Sequence, residues 1–433
     1  MAPRFARTFQ ALEYKQFQIM FFGTLFSFLG MQMQMIARGF LAFDLTGKNS
    51  ALGGVMLAFG APQLVLSLWG GVLADRLPKR KVLWVSQTII AVNSLWLATM
   101  IQMDMVEYWM LIAAGLVQGS GFAFVGPARQ AYIAELVPKD ALGNAVVLQQ
   151  LSMNSTRVIG PMIAGIMIGI PIVGIAGVYY LTSIGFIIAM LGLIPLPAGN
   201  PRPRLVKRSP IGDIADGLKY VRDRRAIALL ILASFFIVML GFPYQSFLPA
   251  LAKDEYGVGP GKLGLLSSVG AVGAVGATML VATYATHRRA WSFSAICGAG
   301  FGLSLIFLGI APTYLFGAAA MFFVGALASA FQSLNNSICM QMTDPEYTGR
   351  VQSINMLSWS LFGIAALPIG FVADAVGLRE TLALLGGICI LCIAGLEFAG
   401  RRLHVSEHRE AARRAAVLDQ ASPPQRAGAA SGR

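Results

Sequence analysis

Long apolar runs, each about as long as a bilayer is thick, recur along this chain between short polar breaks. They fall near 17–42, 51–74, 82–103, 108–131, 142–170, 174–196, 226–251, 262–285, 291–311, 313–341, 351–373 and 380–400. An α-helix needs roughly 20 apolar residues to cross the hydrocarbon core, so each run predicts one transmembrane helix. Barrel strands would be shorter and alternate in polarity, and these runs do neither. The first run is too long for a signal-peptide core, and no cleavage pattern follows it.

The breaks give the organisation. Residues 197–225 are the longest internal one: "PAGNPRPRLVKRSP" is proline-rich and basic, and "IGDIADGLKYVRDRRA" reads as a short amphipathic helix. This break separates six spans from six, and the two sets are weakly self-similar. At a shift of 206 residues, "LVPKDALGNAVVLQQLS" (136–152) overlies "MTDPEYTGRVQSINMLS" (342–358), with Gly143 on Gly349 and Ser152 on Ser358. At a shift of 211, Leu29, Gly30 and Gln34 meet Leu240, Gly241 and Gln245. The prediction is an all-α membrane protein whose twelve transmembrane helices form two six-helix pseudo-repeats, with a binding site at their interface. The divisions are an N-terminal segment 1–16, a first bundle 17–196, a central loop 197–225, a second bundle 226–400 and a tail 401–433. The tail begins as a charged helix and ends in "SPPQRAGAASGR", a disordered composition.

Composition agrees with a membrane protein: 56% of residues are hydrophobic and 12% charged, against about 25% charged in soluble domains. The net charge of +13 would suggest a nucleic-acid partner, but its distribution excludes one. With the N-terminus inside, 27 of the 33 Lys and Arg lie on inner segments. Four lie on outer loops (Lys48, Lys253, Lys262 and Arg379) and two within spans (Arg38 and Arg157). This positive-inside bias predicts an integral membrane protein with both termini in the cytoplasm. The four cysteines all fall in spans; Cys389-x-x-Cys392 has no histidine or second cysteine pair near it and reads as packing. No cofactor or metal is expected.

The most specific motif is "GGVLADRLPKRK", Gly70 to Lys81, between the second and third spans. Gly71, Asp75, Arg76, Lys79, Arg80 and Lys81 fit the Gly-x-x-x-Asp-Arg-x-Gly-Arg-Arg-Lys loop of the major facilitator superfamily, with Pro78 in place of its second glycine. "FDLTGKNSALGG", "GPARQAYIAELVPKDALGNAVVL", "RVIGPMIAG" and "TGRVQSINML" resemble the branch containing siderophore exporters and macrolide efflux proteins. That resemblance implies an alternating-access fold and export from the cytoplasm; it leaves the substrate open. Two further family elements are partial. "GLVQGSG" keeps Gln118, Gly119 and Gly121 but has Gly115 where drug–proton antiporters carry arginine, and the export-associated Gly-Pro element is Gly160-Pro161.

Several residues are candidates for the mechanism. Asp75 can pair with Arg76 or Arg129, or meet the positive N-terminal end of the eleventh helix, when an inner gate closes; Gly71 allows close helix approach. Gly71, Asp75, Arg76, Arg80, Arg129, Gly160 and Pro161 are therefore expected at gates. The alternative for Asp75 is a solvated loop charge. Arg157 sits midway along the fifth span, where an arginine is costly without water or a partner; it either meets an anionic or carbonyl-rich substrate or ties helices together. Arg38, nearer the outer end of its span, reads as a snorkelling or outer-gate residue. Gln34, Arg38, Gln118, Asn154, Arg157, Tyr244, Gln245, Gln332, Asn335, Asn336 and Trp359 are the candidate cavity residues, since unpaired amides in lipid are costly.

The predicted function is secondary active export of a small organic molecule, such as a siderophore, a macrolide or another drug-like compound. The protein is expected to act as a monomer in the lipid bilayer. A metabolite importer and a non-transporting sensor are the alternatives; no nucleophile–base set suggests an enzyme. The proton is the candidate coupling ion. However, His287, His404 and His408 are all cytoplasmic in this reading, and only rim carboxylates such as Asp44, Asp75, Glu135 and Glu397 are available to it.

Overall fold

The computed structural model describes residues 10–199, 210–281, 290–344 and 346–421; within these, the side chains of 68, 70–76, 210, 211, 213–215, 349, 353, 356, 357, 359, 360 and 401–421 are not described. Among the described residues the regular structure is helical, with no strand. The long helices are α1 Lys15–Thr46, α2 Asn49–Arg76, α3 Lys79–Gln102, α4 Tyr108–Leu136, α5 Lys139–Ile168 and α6 Gly174–Gly192. After a connecting helix, Pro210–Asp223, come α7 Arg225–Glu255, α8 Pro260–Val281, α9 Ala290–Ile310, α10 Tyr314–Met342, α11 Thr348–Val376 and α12 Leu378–Ala421. Among the described residues, ten helices are long and apolar enough to cross a membrane. The more polar α5 is not among them, and α11 contributes only the shorter apolar stretch Leu361–Val376. The expected amphipathic helix of the central break is present; 200–209 and the end of the tail, 422–433, lie outside the described residues.

Two chain reversals rest on glycine. Gly47, at φ 63°, ends α1 and returns its N–H to the Phe43 carbonyl, a left-handed cap that only glycine adopts freely. Gly377, at φ 112°, makes the one-residue turn between α11 and α12. The seventh helix departs from regular geometry, because α-helical Arg225–Phe236 and Tyr244–Ala250 are each followed by a π-helical turn, Ile237–Gly241 and Leu251–Glu255. π-turns gather at functional positions, and the first of these immediately precedes Tyr244 and Gln245.

Helix packing repeats. In the first half α2 packs on α4, α3 on α4 and α6, and α1 on α5 and α6; in the second, α8 packs on α10 and α9 on α10 and α12. The halves meet chiefly through two pairs, α2 with α11 and α5 with α8, and α7 adds smaller contacts with α1 and α2. In lipid there is no hydrophobic force between helices, so association depends on close backbone approach at small residues. A Cβ on Gly53 would overlap the Ala366 carbonyl oxygen, and one on Gly264 would lie 2.5 Å from that of Pro161.

The apolar core shows how the halves are disposed. One cluster is continuous across both: Met33, Leu41, Val55 and Ala164 of the first half pack in the same core as Phe247, Leu263, Ala365 and Leu382 of the second. At the opposite ends of the helices the core is divided. Phe17, Leu83, Tyr132 and Leu148 form one cluster within the first half, while Ile227, Leu334 and Val351 form another within the second. The halves thus share a core at the end bearing the Thr46–Asn49 connection and have separate cores toward the end bearing the 76–79 loop, which is where a cleft between them would open.

Candidate substrate cleft and its closed end

The closed end is fastened by charge as well as packing. Helix α2 begins at Asn49, and the first four N–H groups of a helix have no partner within it. Asp374, near the end of α11, supplies acceptors across the interface: its carboxylate accepts the Asn49 N–H at 2.6 Å and the Ser50 N–H at 3.0 Å. The same carboxylate faces the positive end of the α2 dipole. Beside it, Lys253 of α7 bonds Asp44 of α1 at 2.5 Å, and Arg379 pairs with Glu255 within the second half. On the other interface, Ser268 of α8 donates to the Val158 carbonyl of α5 at 2.8 Å. Asp374 and the Asp44–Lys253 pair are the functional residues that sequence reasoning does not single out as partners.

Arg157 is the charged side chain at the middle of α5. It is surrounded by protein atoms, yet its side chain is accessible. The Tyr244 hydroxyl of the other half lies within electrostatic reach of it. Asn154, one turn away, and Gln245, next to Tyr244, are part-exposed, whereas Tyr244 itself is buried. The second half adds a neutral amide network. Ser234 of α7 donates to the Asn355 amide oxygen at 3.0 Å, the Asn355 amide donates to Asn336 at 3.2 Å, and Gln332 reaches Ser234 at 3.5 Å. The amide oxygen of Gln332 is buried without a partner. Asn335 turns instead to the Leu230 carbonyl and is buried. The side chain of Trp359 lies outside the described residues.

Three expected cavity residues are placed differently. Arg38 neither snorkels nor stands at an outer gate; it is 4% exposed inside the first half and donates to the Gln118 side-chain oxygen. Gln118 donates in turn to Gln34 at 2.6 Å, and Gln34 to Ser94 at 3.3 Å. These bonds join α1, α4 and α3 inside the first half, with the Arg38 Nε left without a partner. A guanidinium therefore sits on Gln118, delivered by α1, although position 115 of α4 is glycine; Gly115 instead packs on Ala58 of α2.

The expected gate residues divide similarly. Arg129 is buried with its guanidinium 4.2 Å above the Phe28 ring. Arg80 caps carbonyls at the end of α6, bonding Leu196 at 2.7 Å and Ile194 at 3.2 Å, so it holds the first half together. Gly160 fits against Gln32, where a Cβ would lie 2.6 Å from the neighbouring Cβ, and Pro161 lends its carbonyl to the contact with Gly264. The Gly-Pro element thus belongs to the closed-end interface. Gly71, Asp75 and Arg76 lie on the last turns of α2, and their side chains are outside the described residues. The start of α11, expected to receive Asp75, carries the connecting helix: Tyr220 stacks on Tyr347 at 4.1 Å and Arg224 bonds Asp344 at 2.6 Å.

Comparison with known proteins adds the family. A family model described as transmembrane secretion effector matches residues 6–424. The chain is 21% identical to macrolide efflux protein A of Streptococcus pyogenes over 373 residues, covering 84% of this chain and 90% of that one. It is 26% identical to the staphyloferrin A transporter of Staphylococcus aureus over 363 residues, covering 81% and 88%. Among solved structures, a bacterial homologue of the human lysosomal transporter Spinster, inward-facing and occupied, superimposes with a TM-score of 0.73 at 13% identity, covering 90% of this chain and 97% of that one.

Proposed function

This chain belongs to the transmembrane secretion effector family of the major facilitator superfamily, and on that footing we propose that it exports a small organic molecule by alternating access. The observation that carries the proposal is the core that is continuous at one end and divided at the other. A cleft closed on one side by contacts between halves can release its contents only if those contacts exchange for others. Efflux of macrolides and transport of a siderophore by the relatives support an organic cargo.

In this reading the helices form two six-helix repeats, 17–196 and 226–400, joined by the central loop. The offset of 206 that aligns the sequences also aligns the end of α4 at Leu136 with that of α10 at Met342. The basic loops set the parted end in the cytoplasm, which makes Asp374 and Asp44–Lys253 an outer latch and the described state inward-open. Asp75 then docks on the start of α11 when the inner side closes.

A disulfide tests the cycle. The double variant Asp44→Cys/Lys253→Cys will cross-link on mild oxidation, stop transport, and recover it on reduction. Cross-linking that leaves the transport rate unchanged would remove the outer-gate role. Removing the cap tests the energetics. Asp374→Ala deletes two charge-assisted bonds, worth about 1.5–3 kcal/mol each when desolvated and less at this exposed site. Expected is a severalfold lower yield of that engineered disulfide in the Asp374→Ala background, with Asp374→Glu close to wild type.

A further inference from the structure

The charges inside the helices are of one sign and lie on one side of the cleft. Resting on the exporter reading above, we infer that the cargo is an organic anion and that the membrane potential, without an exchanged proton, drives its exit.

Three guanidiniums lie within helix interiors, Arg38 on α1, Arg129 on α4 and Arg157 on α5, all in the first half. Arg38 is held by an amide and Arg129 by an aromatic ring, so among the described residues neither is neutralised by a carboxylate. Every Asp and Glu within the membrane-spanning parts of these helices falls within three residues of an end: Asp44, Asp75, Glu135, Asp140, Asp254, Glu255, Asp374, Glu380 and Glu397. Two buried cations in the same half as an accessible third give that half a positive field, concentrated by its low-dielectric surroundings. The second half contributes Gln332, Asn336, Asn355 and Gln245, which are neutral and rich in hydrogen-bonding groups. That pairing suits a carboxylate or other acidic group on Arg157, with the rest of a polar molecule against the amides.

The energetic consequence follows from sign. Proton-coupled transport normally needs an ionisable acid or histidine within the membrane, and the mid-helix positions of this chain have neither. An anion leaving a cell that is negative inside moves down the electrical gradient. A potential of about 100 mV alone sustains about a fiftyfold outward gradient of a monovalent anion.

The test has two arms. Thermal stabilisation of the purified full chain is measured with citrate and carboxyfluorescein, each against its methyl ester. At least one acid should stabilise more than its ester; Arg157→Gln should erase that difference with a near-native melting temperature, and Arg157→Lys should keep part of it, since lysine lacks the planar fork. The same acid is then loaded into proteoliposomes whose potential is set by potassium and valinomycin. Its efflux should rise at least tenfold with an outwardly driving potential and ignore a pH gradient imposed at zero potential. Esters binding as well as acids, or efflux driven by the pH gradient alone, would overturn the anion inference while leaving an exporter. Failure to move acids and esters alike would overturn the exporter reading itself.

Discussion

Gly264→Val will leave the protein folded but unable to close its joined end, and transport will fall at least tenfold. The Cβ of any residue at 264 would lie 2.5 Å from the Pro161 carbonyl oxygen and 3.0 Å from the Gly165 Cα. Both neighbours are backbone, so no rotamer change relieves the overlap. Overpacking of this kind costs about 1–3 kcal/mol. Here the strained contact is between halves; on the proposed cycle it exists in one state only, so the strain shifts the balance of states before it threatens either bundle. The control lies inside one half. A Cβ on Gly325 would overlap the Gly270 carbonyl oxygen, where α8 packs on α10. That contact persists in every state, and Gly325→Val should therefore reduce folded protein outright. The measurement is melting temperature beside the yield of the disulfide formed in the Asp44→Cys/Lys253→Cys background. Gly264→Val should lose cross-linking and keep its melting temperature within a few degrees. Equal loss of folded protein in both variants would show that the α5–α8 contact is a permanent part of the core.

The contrast between these glycines marks what sequence can and cannot disclose here. The apolar runs identify the spans because lipid demands length and internal hydrogen bonding. Even α5 and α11, whose polar residues take them below the hydropathy of the other spans, are recognisable from their flanking motifs. Which face of a span meets the cleft is not legible, for a physical reason. Lipid and bundle interior are both apolar, so a transmembrane helix has no strong stripe to orient it. Gln34, Arg38 and Gln118 consequently look like cavity residues in sequence, and only the packing of α1 on α4 reveals that they satisfy one another. The Asp374 cap is hidden differently. Asp374 lies 325 residues from the helix start it caps, and a backbone N–H leaves no trace in side-chain pattern. Arg157 is legible because an arginine at mid-span requires an explanation wherever it points.

Gln118→Leu will destabilise the protein more than any change at the cleft surface, because it strands a buried charge. Gln118 is 2% exposed; its oxygen accepts from Arg38 and its nitrogen serves Gln34. The Nε of Arg38 is already buried without a partner, and the Tyr179 hydroxyl is the neighbouring polar group within reach of the guanidinium, so losing the amide leaves the charge a neutral hydroxyl in its place. Hydrogen bonds to charged groups contribute about 1.5–3 kcal/mol, and orphaning the charge adds its desolvation cost. The expected result is a melting temperature several degrees lower, with Gln34→Leu showing a smaller fall because no charge is exposed to the loss. Arg38→Met alone leaves Gln118 with an unused oxygen and should cost less than Gln118→Leu. The double variant Arg38→Met/Gln118→Leu removes charge and acceptor together. Replacing both partners by apolar groups of similar shape can be nearly neutral, so it should recover most of the stability lost in Gln118→Leu. Additive losses in this cycle would mean that the two side chains act independently. A Gln118→Leu protein of native stability but lost transport would instead return Gln118 to the cleft wall.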